Sequence, residues 1–256
     1  MYNTTIRLGY TNKTERKSYM KYKIADIIVD FDVLHPRLGN QIKDYVYDGN
    51  EKTNLNVRFT EQFYEELRKI HPNLSDDTLE YMYLGGEFYS TLVYFNGMML
   101  HSSCVVYNNR AYLFSAPSGT GKSTHTQLWL KRFPGSYILN DDKPAIRLSK
   151  DGIFVYGTPF SGKTNLQQNK RVPIGGICVL ERDEKNSIVR VSTEDAIFAL
   201  LNQTIRPYKE DELDKIMNTI DILVRKVPVY RLKCNMETEA AEVAYNGMKG
   251  NTDNEN

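Results

Sequence analysis

A glycine-rich run between an apolar segment and a helical segment is the feature that most limits how this chain can fold. The run reads Ala116-Pro117-Ser118-Gly119-Thr120-Gly121-Lys122-Ser123. It has the Walker A spacing, with alanine in place of the first glycine. The pattern predicts a strand over 111–115 before the run and a helix from Lys122 to about Arg132 after it. A strand, a glycine-rich turn and a helix in this order are typical of a phosphate-binding loop.

Such a loop predicts a site for a nucleoside triphosphate, taken here as ATP, with Mg²⁺. Gly119 and Gly121 permit backbone conformations that other residues resist, so successive N–H groups can point at phosphate oxygens. The positive end of the following helix acts on the same point. Lys122 is expected to reach the β and γ phosphates, and the Ser123 hydroxyl to bind Mg²⁺. The predicted nucleotide-binding residues are Ser118, Gly119, Thr120, Gly121, Lys122, Ser123 and Thr124.

Two adjacent acids follow the next apolar segment. Asp141 and Asp142 come after a predicted strand over 137–139, where a Walker B acid would help to hold Mg²⁺. Side chains alternate along a strand, so both acids reach one site only if the strand opens into a loop there. One acid would then bind the metal and the other would accept the proton of an incoming hydroxyl. A solvated polar turn is the alternative, although Lys143-Pro144 leads directly into another apolar strand.

Two further residues are candidates for contact with the transferred phosphate. His101 lies in a predicted strand before the glycine-rich run, and Lys163 lies in a second glycine and serine loop over 157–164. Lys163 would compensate charge on the transferring group or on the acceptor. A structural role for His101 and a solvated position for Lys163 are the alternatives. On the helix after the glycine-rich run, we assign Trp129 to the core and His125 to a surface or packing position rather than to a role at the base.

Composition limits the partners and the compartment. The formal net charge of +1 gives no reason to expect nucleic acid or an anionic membrane as a partner. The longest apolar stretch near the amino terminus, 24–33, contains three aspartates and cannot span a membrane, so we expect a cytoplasmic protein. Cys104, Cys178 and Cys234 lack metal-binding spacing, and we expect buried free thiols.

The pattern along the chain divides into three parts. Residues 1–97 are expected to form a β-rich and helical extension packed on the core, 98–248 the catalytic core, and 249–256 a disordered tail. The extension has β-rich runs that predict a mostly antiparallel sheet, at 22–31, 43–47 and 55–59. Ser75 is expected to cap a helix whose apolar pattern continues to Phe95.

The core is expected to alternate strands and helices. Asn108-Asn109 predicts a tight turn and Asp151-Gly152 a hairpin. The predicted strands are 98–107, 111–115, 137–139, 145–148, 153–156 and 174–180. The predicted helices are 193–204, 211–224 and 237–248, in addition to the one that begins at Lys122.

The order of His101, the glycine-rich run, the acid pair and the 157–163 loop resembles the catalytic domain of HPr kinase/phosphorylase and its small relatives. These belong with the ATP-type phosphoenolpyruvate carboxykinases, and the resemblance covers about 98–181. It implies an α/β fold of that P-loop type with a mixed sheet. It also implies that His101 contacts the γ phosphate region, that Asp142 accepts the proton and that Asp141 is the metal-side acid. The order within the acid pair stays open.

The sequence departs from the HPr kinase pattern in two places. The second glycine-rich signature of HPr kinases is not evident, and Leu180-Glu181-Arg182 is a remnant of it at best. The 157–163 loop resembles instead HPr-kinase-related proteins, which include kinases that phosphorylate a serine of a small peptide. We therefore expect an ATP-dependent phosphotransferase that acts on a hydroxyl of a peptide, a protein or a small molecule. The alternative is a nucleotide-binding switch without turnover. The acceptor, the preference for ATP over GTP and any homo-oligomeric state stay open.

Overall fold

A computed structural model describes residues 20–205 and 209–249. The first nineteen residues of the predicted extension and residues 250–256 of the predicted tail therefore lie outside the described residues, whereas Lys249 is described and is helical. Among the described helices, none combines the length and the apolar character that crossing a membrane requires.

The amino-terminal part contains a small sheet of four strands, in the order β3-β1-β2-β4. These strands are β1 (Lys21–Ile24), β2 (Ile27–Phe31), β3 (Val46–Tyr47) and β4 (Leu55–Val57). Only the pair of β2 and β4 is parallel, in agreement with the prediction of a mostly antiparallel sheet. The predicted run over 22–31 turns back on itself, because Ala25 and Asp26 both adopt left-handed backbone angles, with φ of 48° and 59°.

Three helices complete this part, namely α1 (Pro36–Gln41), α2 (Glu61–Ile70) and α3 (Asp76–Leu92). The predicted cap is confirmed, since the Ser75 side chain accepts a hydrogen bond from the Thr78 N–H at 3.3 Å. The helical pattern predicted up to Phe95 ends earlier, because α3 stops at Leu92 and a 3₁₀ turn over Val93–Phe95 follows. The sequence analysis did not predict α1 and α2.

The remaining described residues form one mixed sheet of nine strands with four helices. The strands are β5 (Gly97–Met99), β6 (Ser102–Tyr107), β7 (Arg110–Ser115), β8 (Tyr137–Asp142), β9 (Ala145–Ser149), β10 (Gly152–Tyr156), β11 (Arg171–Arg182), β12 (Ser187–Arg190) and β13 (Val229–Cys234). The helices are α4 (Lys122–Arg132), α5 (Thr193–Leu201), α6 (Glu210–Lys226) and α7 (Glu239–Lys249).

The sheet order β5-β9-β10-β11-β7-β6-β8 brings three strand ends to one edge. Strand β6 lies between β7 and β8 and is antiparallel to both. The first residue of β6, Ser102, therefore pairs with the last residues of its neighbours, Ser115 and Asp142. Beyond β7, strands β11 and β13 continue the sheet in parallel.

Helices cover both faces of this sheet, which gives an α/β layer architecture. Trp129 of α4 is fully buried with residues of α7 on one face, so its assignment to packing is confirmed. Residues of α5 and α6, including Leu200 and Ile220, are buried on the other face. The α/β class is thus as predicted, whereas the P-loop type and the boundary at residue 97 stay predictions. The small sheet shares a hydrophobic cluster with β9, β10 and Phe160 of the core.

Several predicted elements differ in detail from the observed ones. The strand predicted over 98–107 is two strands, since β5 pairs with β9 whereas β6 pairs with β7 and β8. The tight turn at Asn108-Asn109 and the hairpin of β9 and β10 are confirmed. The helix predicted over 193–204 ends at Leu201, and β12 and β13 were not predicted. All three cysteines are free, but Cys234 is only partly buried.

Candidate functional site

The loop over 116–121, here called the glycine loop, connects β7 to α4 and opens on the edge where the three strands meet. Gly119 and Gly121 have φ of 80° and 119°, in the left-handed region that favours glycine. No atom lies within 4 Å of where a Cβ would stand on either residue, so both border open space. Helix α4 begins directly after Gly121. The first N–H groups of a helix have no hydrogen-bond partner within the helix, so those of α4 are available to an anion at its amino terminus.

A cavity of about 320 Å³ lies at this edge. It is lined by His101, Ser103, Ser118, Gly119, Gly121, Lys122, Ser123, Thr124, Asp141 and Asp142. All the site residues predicted from the sequence therefore line one cavity, with the exceptions of Thr120 and Lys163. Ser103 is an addition that the sequence analysis did not single out. Residues from strands β6 and β8, the glycine loop and helix α4 are brought together because β6 runs antiparallel between β7 and β8.

Lys122 is buried at the base of the glycine loop. Its Nζ donates hydrogen bonds to the carbonyl oxygens of Ala116, at 2.9 Å, and Pro117, at 3.4 Å. Burial lowers the pKa of Lys122, while the negative charges of Asp142 and Asp141 act in the opposite direction. The ammonium group is therefore held on the loop and lies in the field of both acids.

Asp141 faces α4 and the glycine loop. It pairs with Ser103 across β6 and β8, and the Ser103 hydroxyl lies 2.8 Å from that of Thr126 on α4. Asp141 is 5% exposed, and neither of its carboxylate oxygens has a hydrogen-bond partner among the described residues. A buried carboxylate without partners costs free energy unless a cation binds to it.

These residues fit Mg²⁺. Mg²⁺ prefers oxygen ligands and is usually held by one or two carboxylates together with substrate phosphates and water. Asp141 and the Ser123 hydroxyl line the same cavity and supply such oxygens. The described residues contain no group of three or more His, Cys, Asp or Glu side chains that could hold a metal ion by themselves. Any cation at Asp141 would therefore take most of its ligands from substrate and solvent.

Asp142 lies at the end of β8 and has two basic neighbours, His101 and Lys143. Its Oδ1 lies 3.3 Å from His101 Nε2, and its Oδ2 accepts a hydrogen bond from Lys143 Nζ. Burial raises the pKa of Asp142, but the hydrogen bonds and charges of His101 and Lys143 outweigh it and leave the pKa below its ordinary value. The carboxylate is thus ionised at neutral pH.

Strand β8 continues through both acids, contrary to the expectation that the strand must open into a loop for both to reach one site. Alternation is kept, since Asp141 shares its face with Ser103 whereas Asp142 approaches Gly162 on the opposite side. Both acids still border the cavity because the strand ends there and the cavity extends around its end.

His101 lies in the break between β5 and β6, beside the cavity. Its Nδ1 lies 3.2 Å from Gln203 Oε1, and its backbone N–H donates to the Gln203 carbonyl at 2.8 Å. His101 is therefore held between Gln203 and Asp142. No sequence signal could have identified Gln203, which follows α5 far along the chain. Lys143 could have been found from its position next to Asp142.

Lys163 is exposed and does not line the cavity, although its loop lies beside Asp142. A Cβ on Gly162 would lie 3.1 Å from the Asp142 carboxyl group. The Gly162 N–H donates to the Tyr81 hydroxyl at 2.9 Å, and the Gly162 carbonyl accepts from Gln41 Nε2 at 3.2 Å. Since Tyr81 and Gln41 belong to α3 and α1, the amino-terminal part holds this loop against the acid.

Arg182 contacts the glycine loop from outside. It ends β11, the parallel neighbour of β7, and its Nε donates to the Thr120 carbonyl at 2.9 Å. A second hydrogen bond runs from Arg182 to the Gly119 carbonyl. From the sequence, residues 180–182 were interpreted only as a remnant of the second glycine-rich signature of HPr kinases. The contact makes Arg182 a support of the loop that the sequence analysis missed.

Comparisons with known proteins add little to this picture. No protein-family model and no curated protein sequence matches the chain. Among solved structures, the HPr(Ser) kinase/phosphatase from Coxiella burnetii is similar with 9% sequence identity and a TM-score of 0.34. The match covers 58% of this chain and 95% of that one. It indicates a distant structural relationship at most and supports no conclusion about function.

Proposed function

We propose that the chain is an ATP-dependent phosphotransferase of P-loop type, which binds Mg-ATP in the cavity and transfers the γ-phosphoryl group to a hydroxyl. The observation that carries this proposal is Asp141, whose two buried carboxylate oxygens have no partner among the described residues. They lie in the same cavity as Lys122, Ser123 and the open glycine loop. A partnerless buried carboxylate next to a cradle of N–H donors fits a magnesium and phosphate site.

The phosphates would be held by the glycine loop and the first turn of α4. The backbone N–H groups over 118–123 and the helix amino terminus provide the donors. Lys122 would exchange its bonds to the Ala116 and Pro117 carbonyls for the β and γ phosphates. Ser123 and Asp141 would hold the metal, which neutralises charge on the phosphates when bound. A cavity of about 320 Å³ lies at the small end of the range of ligand pockets.

Asp142 would receive the proton of the acceptor. In the transfer, the acceptor oxygen bonds to the γ phosphorus, the bond to the β–γ bridging oxygen breaks, and ADP leaves with that electron pair. The hydroxyl proton passes to Asp142 Oδ1, which is ionised beforehand because its pKa is lowered. His101 Nε2 lies 3.3 Å from that oxygen and would keep the carboxylate beside the cavity. Most of the catalysis would come from positioning and charge, as is usual in phosphoryl transfer.

The test is transfer of label from γ-labelled ATP. The acceptors offered are a serine- and threonine-containing peptide library, free serine, glycerol and HPr. We expect an acid-stable phosphoester on a peptide or small alcohol, which is absent with Asp142→Asn. Binding of Mg-ATP without label on any acceptor would contradict the transferase and favour the nucleotide switch. No binding of Mg-ATP would contradict both.

A further inference from the structure

A cluster of buried polar groups lies directly beneath the acid, outside the cavity. It consists of Asn140 and Thr158, both 0% exposed, and Tyr89, which is 2% exposed. Asn140 precedes the acids in β8, Thr158 belongs to the 157–163 loop and Tyr89 belongs to α3. Polar groups this deep are stable only when they are hydrogen-bonded, so the partners of this cluster show what it holds in place.

Asn140 uses its whole carboxamide. Its Oδ1 accepts hydrogen bonds from the backbone N–H groups of Asp142, at 3.2 Å, and Lys143, at 2.8 Å. Its Nδ2 donates to the Thr158 carbonyl at 2.8 Å and to the Thr158 hydroxyl oxygen at 3.2 Å. The side chain thus joins the backbone of the acid to the neighbouring loop, with both donors and both lone pairs engaged.

The carbonyl of Lys143 is held from the other side. The Thr158 hydroxyl donates to it at 2.8 Å and the Tyr89 hydroxyl at 2.5 Å, and the two hydroxyl oxygens lie 2.9 Å apart. Burial raises the pKa of Tyr89 well above its ordinary value, so the phenol keeps its proton and remains a donor.

The position of this cluster explains why side chains hold the backbone there. Pro144 follows Lys143 and has no N–H to donate to a neighbouring strand, and it restricts the conformation of Lys143. Strand β8 ends at Asp142 and β9 begins at Ala145, so Lys143 and Pro144 lie between the two strands and outside their ladders. Side chains hold this backbone instead: Asn140 accepts from the N–H groups of Asp142 and Lys143, and Thr158 donates to the Lys143 carbonyl.

We propose that Asn140 and Thr158 are positioning residues, which hold the backbone of Asp142 and Lys143 so that the Asp142 carboxylate stays beside His101 in the cavity. Neither residue lines the cavity, so neither would touch a phosphate bound in it. This inference rests on the proposed phosphotransfer. It assigns the 157–163 loop a role through Thr158 rather than through Lys163. The role predicts an effect on turnover that is separate from nucleotide binding.

The experiment compares Thr158→Val, which removes only the hydroxyl, with Thr158→Ser, which keeps it. Calorimetry gives the Kd for Mg-ATP, and transfer of label from γ-labelled ATP to the acceptor that the wild type labels gives kcat. We expect Thr158→Val to lower kcat at least tenfold with Kd changed less than twofold, and Thr158→Ser to stay within threefold of wild type. Asn140→Asp keeps the acceptor oxygens but loses the donor to Thr158, and we expect kcat to fall at least tenfold there as well.

A matched control separates positioning from loss of stability. Thr219→Val also removes a buried hydroxyl, one that donates to the Lys215 carbonyl within α6 and does not line the cavity. It should lower the melting temperature without lowering kcat. Wild-type kcat in Thr158→Val, or equal losses in Thr158→Val and Thr158→Ser, would overturn the positioning role alone. A wild-type protein that binds Mg-ATP but labels none of the offered acceptors would overturn the phosphotransfer proposal, and this inference with it.

Discussion

His101 Nε2 lies 3.3 Å from Asp142 Oδ1, although the two residues are separated in sequence by the whole glycine loop and α4. The contact exists because β6 runs antiparallel to β8, so its beginning meets the end of that strand. It places an imidazole and a carboxylate at one end of the cavity, while Lys122 and Asp141 lie toward α4.

Replacement of Lys122 by alanine should weaken Mg-ATP binding at least tenfold, about 1.4 kcal/mol. The reason is the loss of the Lys122 ammonium group, which the glycine loop holds at its base. Calorimetry on folded protein measures the effect. Lys131→Ala, on the exposed end of the same helix, serves as the control and should bind normally. Equal affinities of the Lys122→Ala and wild-type proteins would contradict the proposed phosphate site.

The two acids should behave differently when each is changed to asparagine. Asp142→Asn should keep nucleotide affinity and lose about two to four orders of magnitude in turnover, since it removes the proton acceptor. Asp141→Asn should lose the part of nucleotide affinity that depends on Mg²⁺, because its oxygens would hold the metal. Titrations with and without Mg²⁺, together with transfer rates, distinguish the two. Normal turnover in both variants would show that the two acids only form a polar strand end. If Asp141→Asn lost turnover and Asp142→Asn lost Mg²⁺-dependent affinity, Asp141 would be the proton acceptor and Asp142 the metal ligand.

Arg182→Ala should weaken Mg-ATP binding roughly fivefold, a loss of about 1 kcal/mol. The reason is that the Thr120 and Gly119 carbonyls of the glycine loop lose the hydrogen bonds that Arg182 donates. Arg231→Ala is the matched control, since Arg231 lies on the adjacent strand and pairs with Glu181 at 3.0 Å instead of with the loop. Unchanged affinity in Arg182→Ala would show that the loop keeps its shape without this contact.

His125 should make the fold sensitive to acid. His125 belongs to α4 and its side chain is buried. It accepts a hydrogen bond from Trp129 Nε1 at 3.2 Å. Burial lowers the pKa of His125 from 6.5 to about 3. Between these values the unfolded chain binds a proton that the folded chain does not. This group alone therefore lowers the free energy of unfolding by about 1.4 kcal/mol per pH unit as the pH falls below 6.5.

Urea titrations of the wild type and His125→Gln from pH 7 to pH 4 measure this effect. The glutamine can still accept the Trp129 hydrogen bond but does not titrate. The difference between the two stabilities should therefore change steadily in favour of the variant as the pH falls. Parallel pH profiles would show that His125 is charged or solvated in the folded protein. The interpretation of His125 as a packing residue is confirmed by its burial, and the surface alternative is wrong.

Local signals explain why the glycine loop, α4 and the acids could be predicted from sequence. The spacing of Gly119, Gly121 and Lys122 and the apolar residues before Asp141 lie within short stretches of chain. Their convergence on one cavity agrees with the predicted placement, whereas their roles stay predictions. The turn at Asn108-Asn109 was equally local, because asparagine tolerates left-handed backbone angles.

What the sequence could not provide depends on contacts between distant segments. The break between β5 and β6 arises because the chain changes pairing partners at His101, which no pattern within 98–107 indicates. Gln203, Arg182 and Tyr89 lie far from the motifs and reach the site only through sheet order and helix packing. Helix α2 was missed although its cap, in which the Thr60 side chain accepts from the Phe63 N–H, is an ordinary local signal.

The hydrogen bonds that join Gly162 to α1 and α3 limit how far this chain can be truncated for expression. Expression of 98–249 alone would remove Tyr81, Gln41 and Tyr89 together, and with them the bonds that hold the 157–163 loop and the Lys143 carbonyl. It would also uncover Phe160, which is fully buried against α3. The amino-terminal part thus supports the loop beside Asp142 without lining the cavity, and its removal is expected to leave a fragment with exposed apolar surface and lower stability.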